Sequence, residues 1–380
     1  SYHWIAMPTS VPRESALGVC KQCQVHDAVE NVRSRPMCKD CFCKYIATKA
    51  VKRMEKFRTR FSTAGQQRML LLPLSMGVSS LALLHCLDEQ LKRQIENTGR
   101  TGFALQVLHV DMTAVVPEGP SATDLDAIKE RYPTHNYTSI PISSVMEVED
   151  VQDLLKQYGI DTPATLNDGI ENTNLQSLQN LLQAIPTATA RADVLQILLH
   201  KLIVDFAKAD TCEAIVWGDS TTRLAEKTLA ETAKGRGFAL AWLVSDGPSP
   251  YGIDFYYPLR DLLKKEIHAY ARYVNPPLTP LVAPEAPLET VVSAKHSTID
   301  GLMRNYFDAV EKNYPSIVAN VVRTTAKLAA PSVGAGDASC SLCGLPLLLT
   351  PRTEEGLVAE GKAPPPLCYG CMRSVPMFSP

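Results

Sequence analysis

Long apolar runs are missing from this 380-residue sequence. Met69 to Leu74 is interrupted by Pro73, and no run of 18 apolar residues exists, so a membrane span is not expected. A dominant charge of one sign is missing as well, with 38 Lys+Arg against 40 Asp+Glu and a net charge of −2. With 45% hydrophobic and 21% charged residues, the composition is that of a globular chain with a sizeable core, which excludes a disordered or collagenous one. The opening residues Ser1-Tyr2-His3-Trp4 carry no basic flank ahead of an apolar stretch, so secretion is not expected and a cytoplasmic location is. No His-x-Glu accompanies the cysteines, which sets aside a zinc deaminase.

Cysteine is plentiful by contrast. Eight of the eleven form four Cys-x-x-Cys pairs: Cys20/Cys23, Cys38/Cys41, Cys340/Cys343 and Cys368/Cys371. Paired knuckles bring four thiolates to one ion at little ordering cost, and the Cys-x2-Cys-x14-Cys-x2-Cys spacing of the first set suits structural zinc. The second set is spaced more widely, with 24 residues between its pairs. Redox dithiols and a cluster site are the alternatives, and pairing across the two chain ends stays open. Cys43, Cys86 and Cys212 are left over, the last two read as small buried hydrophobes.

The near-zero net charge hides an asymmetry. Arg33 to Arg68 holds eleven Lys/Arg and two acids, whereas Asp111 to Glu171 holds twelve acids and three bases. Ile46, Ala50, Met54, Phe57 and Phe61 recur at helical steps, so Tyr45 to Phe61 is predicted to be an amphipathic helix leaving the first knuckle. Its polar face would carry Lys49, Lys52, Arg53, Lys56 and Arg60. Such a face is either merely solvated or a phosphate-backbone surface.

The middle of the chain alternates strands and helices. Met69 to Leu74 reads as a buried strand, Ser75 to Ser80 as a turn of small residues, and Ser79 to Asn97 as a helix stopped by Gly99. Such a turn offers free N–H groups to a phosphate, although short Gly/Ser turns are commonest as plain connections. Strands at Phe103–Val110 and Glu213–Trp217, and helices at Ala192–Lys208, from Gly218 to Thr232, at Asp261–Tyr273 and at Thr298–Asn313, complete the pattern. The fold class is α/β, a doubly wound and mostly parallel sheet whose ligands would lie at the strand ends after Leu74, Val110 and Trp217. Residues 1–62 are expected to form a zinc module with the basic helix, 63–328 the α/β domain, and 329–380 a linker and a second zinc module.

The Ser-x-Gly-x-x-Ser turn (Ser75, Gly77, Ser80), the strand ending at Asp111 and the run Gly218-Asp219-Ser-Thr-Thr-Arg-Leu-Ala225 resemble the PP-loop tRNA thiolases. The resemblance runs from about Cys20 to Cys371. It implies an adenine nucleotide alpha hydrolase-like sheet and a part in thiolating the wobble uridine of cytosolic tRNAs for Lys, Glu and Gln. In that system ATP activates the uridine oxygen, and a thiocarboxylated ubiquitin-related modifier supplies sulfur.

The sequence departs from the active pattern, Ser-Gly-Gly-x-Asp-Ser, at Met76 and Ser79. A bulky side chain replaces glycine and the carboxylate is gone, which speaks against ATP chemistry. The Cys-x-x-Cys of active members is replaced by Thr187-Ala-Thr-Ala-Arg191. The expectation is a catalytically degenerate subunit, paired with an intact PP-loop subunit and helping to bind tRNA, with no catalytic residues of its own. Ser75, Gly77, Ser79, Ser80, Asp111 and Asp219 would then mark a remnant nucleotide pocket. Arg191, Arg223, Lys234, Arg236 and Arg260 would line it, and Arg191 and Arg236 together with Lys49, Lys52, Arg53, Lys56 and Arg60 of the basic helix would contact tRNA. His109 is read as a satisfied strand-end histidine. The alternatives are an ATP-dependent tRNA sulfurtransferase or nucleotidyltransferase in its own right, and a zinc-binding protein adaptor without RNA contact.

Overall fold

The computed structural model describes residues 17–62, 65, 67–117, 119–121, 123–157, 170–283, 298–331, 338–347 and 366–375. The chain's opening residues and the centre of the expected linker lie outside them. In chain order the elements begin with a hairpin of β1 (Glu30–Val32) and β2 (Arg35–Met37), followed by α1 (Lys39–Arg53). Next come β3 (Met69–Pro73), α2 (Val78–Thr98), β4 (Ala104–Asp111), α3 (Asp124–Arg131), β5 (Asn136–Pro141), α4 (Glu149–Gln157), α5 (Ile170–Ala184) and α6 (Ala188–Ala209). The series continues with β6 (Ala214–Val216), α7 (Thr221–Ala233), α8 (Leu240–Leu243), β7 (Gly247–Pro248), β8 (Asp254–Tyr256) and α9 (Lys264–Tyr273). Helices Ile299–Asn313, Pro315–Thr325 and Tyr369–Ser374 follow.

Six strands form one sheet in the order β5-β4-β3-β6-β8-β7, parallel except for β7 against β8. The order reverses between β3 and β6, which makes the carboxyl ends of these two strands the switch point of a doubly wound sheet. Alternate residues of β3 face opposite layers, as the two-residue period of a strand requires. Leu70 and Leu72 join Phe42 and Ile46 of α1, Leu84 of α2 and Ile267 of α9, whereas Leu71 joins Leu195 and Leu198 of α6 and Leu224 of α7. Cys20 and Cys38 belong to the first layer and Cys340, Cys343, Cys368 and Cys371 to the second, so the two cysteine groups lie on opposite faces of the sheet.

The helix expected over Tyr45–Phe61 is displaced toward the amino terminus. It starts inside the knuckle, with Cys38 at its N-cap, and stops at Met54, after which two short 3-10 turns, Glu55–Phe57 and Thr59–Phe61, carry the chain on. Phe57 buries at the start of this tighter path, packed edge-on against Phe103 and Tyr256, which pulls the chain off the helical course.

Candidate metal centres and nucleic-acid interface

Both cysteine groups gather as fours, Cys20/Cys23/Cys38/Cys41 and Cys340/Cys343/Cys368/Cys371, each with its sulfurs within 4.8 Å of one another. This settles the pairing, which does not cross between the chain ends. The Cys23 and Cys38 sulfurs are 3.8 Å apart and those of Cys343 and Cys368 3.7 Å. A tetrahedral ion with sulfur at about 2.3 Å sets sulfur–sulfur edges of about 3.8 Å, and a disulfide would need about 2 Å. The thiols also conflict electrostatically when no cation lies among them. Burial acts to raise Cys20, but backbone N–H groups of Cys23, Cys38 and Gln22 outweigh it and bring the thiol down to about 6. Burial and the neighbouring sulfurs push Cys41 up to about 12. In the second group the surrounding thiols hold Cys340 low and drive Cys371 high. A divalent cation relieves that conflict, and both donor sets suit zinc.

The expected phosphate loop is present in outline, and its own polar groups bond one another. Ser75 Oγ lies 3.2 Å from Ser80 Oγ, the Gly77 N–H reaches Ser75 Oγ at 3.4 Å, and Ser80 Oγ donates to the Gly77 carbonyl at 3.1 Å. Ser79 stands in the first turn of α2. Met76 keeps a left-handed backbone, φ 58°, yet its side chain is fully buried. The Ala283 N–H donates to its carbonyl at 3.0 Å, so the segment after α9 closes over the loop. On the other side, a Cβ on Gly218 would stand 3.0 Å from Ser80 Cα, so the strand-end loop of β6 packs directly on the start of α2.

The two candidate carboxylates are engaged locally. Asp111 accepts from the Thr113 N–H and hydroxyl at 2.8 and 2.6 Å, and Asp219 is held by Lys227 at 2.6 Å. The rest of the Gly218–Ala225 run serves packing. Ser220 caps α7, Thr221 donates to the Arg260 carbonyl at 2.7 Å, buried Thr222 bonds Glu311, and Arg223 pairs with Glu226 at 2.8 Å. His109 is buried with Nδ1 3.0 Å from the Leu74 carbonyl, but its Nε2 is buried without a hydrogen-bond partner among the described residues, so the histidine expected to be satisfied is satisfied at one nitrogen only. Burial pushes the thiols of Cys86 and Cys212 up to about 12 and that of Cys43 up to about 11, which disfavours the thiolate a nucleophile needs.

The basic residues divide into three groups. Lys49 and Lys52 have no carboxylate within ion-pair distance among the described residues, and Lys49 lies 5.7 Å over the Tyr45 ring. Arg53, Lys56 and Arg60 are paired, with Asp261 at 2.7 Å, Asp254 at 3.1 Å and Glu55 at 2.7 Å respectively. Arg236, expected to contact tRNA, is instead 2% exposed between Asp193 and Glu231, with Nη1 4.0 Å from Cys371 Sγ. Lys234 is buried with it, 3.1 Å from both Asp193 and Asp300 and 2.6 Å from Glu231. These two cations are core components tying α6 and α7 to the second cysteine group. Arg191 lies in the first turn of α6, and Arg260 lines a separate cleft with Arg33 and Arg323. Arg323 had no signal in the sequence, because nothing in its local pattern sets it apart from other surface arginines.

A doubly wound sheet with a small-residue strand-turn-helix at its first central strand is the PP-loop architecture. The solved U34-tRNA thiolase NcsA from Methanococcus maripaludis, described with its 4Fe-4S cluster, shares it at TM-score 0.55 and 16% identity, over 87% of this chain and 93% of that one. At this identity the likeness concerns the fold.

Sequence relatives are more specific. Cytoplasmic tRNA 2-thiolation protein 2 from Phaeosphaeria nodorum is 45% identical over 97% of this chain and 98% of its own length. Its namesake from Sclerotinia sclerotiorum is 46% identical over 82% of this chain and 83% of its own. The family model for cytoplasmic tRNA 2-thiolation protein 2 matches residues 298–357. The chain belongs to the cytoplasmic tRNA 2-thiolation protein 2 family, and its biology is tRNA 2-thiolation.

Proposed function

We propose that this chain is the non-catalytic subunit of a cytoplasmic heterodimer that 2-thiolates the wobble uridine of tRNAs for Lys, Glu and Gln. The intact PP-loop subunit, cytoplasmic tRNA 2-thiolation protein 1, adenylates the uridine and handles sulfur delivered by the thiocarboxylated ubiquitin-related modifier. This chain stabilises that subunit and extends the surface that holds tRNA, with Lys49 and Lys52 contacting the phosphate backbone. Zinc bound by the two four-thiol groups braces the opposite faces of the sheet and takes no part in the reaction.

The observation that carries the reading is Met76. A bulky side chain stands where the active pattern has glycine, fully buried in the core layer with Leu74 and Leu81, and the Ala283 N–H donates to the Met76 carbonyl. Transition-state charge on a phosphoryl group needs donors and a metal-anchoring carboxylate aimed at it, and here Ser79 holds the carboxylate position while Asp111 and Asp219 bond Thr113 and Lys227. The isolated chain should therefore show no ATP-dependent pyrophosphate release above a blank, and Ser75→Ala should change nothing. Release by the isolated chain that Ser75→Ala abolishes would make it an ATP-using enzyme and overturn the reading.

A further inference from the structure

Cations from four separate parts of the chain meet at one cleft of about 640 Å3 beside the carboxyl ends of β6 and β8. Arg33 comes from the tip of the β1–β2 hairpin, Lys49 and Arg53 from α1, Arg260 from the loop after β8, and Arg323 from helix Pro315–Thr325. Two carboxylates also line the cleft, and both are engaged. Asp261 holds Arg53 at 2.7 Å, and Asp246 lies 3.5 Å from both Arg53 and Arg260. Five cations against two carboxylates leave three in excess, and Arg33, Lys49 and Arg323 have no carboxylate within ion-pair distance among the described residues.

The positions of these groups are built. Arg33 and Ser34 both have positive φ, 49° and 67°, as a two-residue hairpin turn requires, and the Arg33 guanidinium donates to the Asp261 carbonyl at 3.2 Å. The acids thus orient Arg53 and Arg260 as one wall, while the uncompensated cations face the same space. Ser245 adds a buried hydroxyl with no partner among the described residues, and Val322 gives an apolar side. A cavity of this size holds something the size of a nucleotide. Guanidinium forks bind phosphate oxygens in pairs, and excess positive charge in a concave site concentrates anions.

We propose that this cleft seats a phosphodiester of the tRNA backbone, clamped jointly by the first cysteine module, the α/β sheet and helix Pro315–Thr325. The proposal rests on the tRNA-binding reading and adds to it Arg33, Arg260, Arg323 and a location.

The test uses the purified heterodimer and a fluorescently labelled, unmodified tRNA(Lys) transcript, titrated by anisotropy at several salt concentrations. The variants are Lys49→Glu, Arg323→Glu and their double, with Lys129→Glu on α3, outside the cleft, as control. The double variant should weaken binding about tenfold and flatten the salt dependence by about 0.7–0.9 for each phosphate no longer neutralised. Arg323→Lys should retain binding, Lys129→Glu should match the parent, and unchanged metal content should accompany every variant. If the parent binds tRNA with steep salt dependence and the double variant does so identically, the cleft assignment is wrong while the tRNA reading stands. If the parent heterodimer has no salt-dependent affinity for tRNA, both fall. Loss of partner association with tRNA affinity intact would show a protein-binding cleft and overturn the proposal.

Discussion

His200 shows how one side chain couples the fold to pH. Its ring stacks on Trp217 at 5.3 Å between centroids and meets Tyr251 and Phe255, and burial, aided by Lys227, lowers its pKa from 6.5 to about 4. The folded state favours the neutral ring, so at pH between about 4 and 6.5 the unfolded chain binds the extra proton. The resulting stability is complete above pH 6.5 and is lost as pH falls toward 4. Urea midpoints measured from pH 7 to pH 4 should decline through this window, and His200→Phe should remove that part of the slope. Arg236 teaches the opposite lesson about reading single residues. In sequence it sits in Gly235-Arg-Gly237 and looks like a loop cation, but folding brings Asp193, 43 positions earlier, against it. Nothing local in the sequence announces that partner.

At the scale of elements, the interior strands were legible because β3 and β6 are short apolar runs and β4 a strand-like alternation ending at Asp111, and α2 because its leucines recur on one face up to Gly99. The edge strand β5, Asn136-Tyr-Thr-Ser-Ile-Pro141, has no fully buried position and so no pattern to read. The cysteine spacing correctly announced two four-thiol groups but not their unequal settings. Cys23 and Cys41 are partly exposed, whereas all four cysteines of the second group are buried beside the Asp193–Arg236–Glu231 cluster. Gly370 belongs to that packing, since a Cβ there would stand 2.8 Å from the Lys234 carbonyl oxygen. A chelator should therefore remove zinc in two phases, first from Cys20/Cys23/Cys38/Cys41. Arg236→Ala removes one of the two cations that hold the buried Asp193 and Glu231, leaving Lys234 alone to compensate both, and should destabilise the cluster and speed the slow phase. Zinc release followed with a metal-sensitive dye reads both, and a single phase unaffected by Arg236→Ala would contradict the coupling.

For the whole molecule, the sheet keeps a phosphate-loop outline while its contents have changed to packing: Met76 buried in the core layer, Gly218 against Ser80, and Asp219 on Lys227. What remains available for function is surface and cleft, basic near α1 and helix Pro315–Thr325. That division suits a subunit that holds substrate for a partner's chemistry. The most direct measurement is 2-thiouridine formed on tRNA(Lys) with ATP and the thiocarboxylated modifier, quantified for the heterodimer, for each subunit alone, and for the heterodimer carrying Ser75→Ala in this chain. The account predicts product from the heterodimer, undiminished by Ser75→Ala, and none from this chain alone; thiolated tRNA made by this chain without its partner would contradict it.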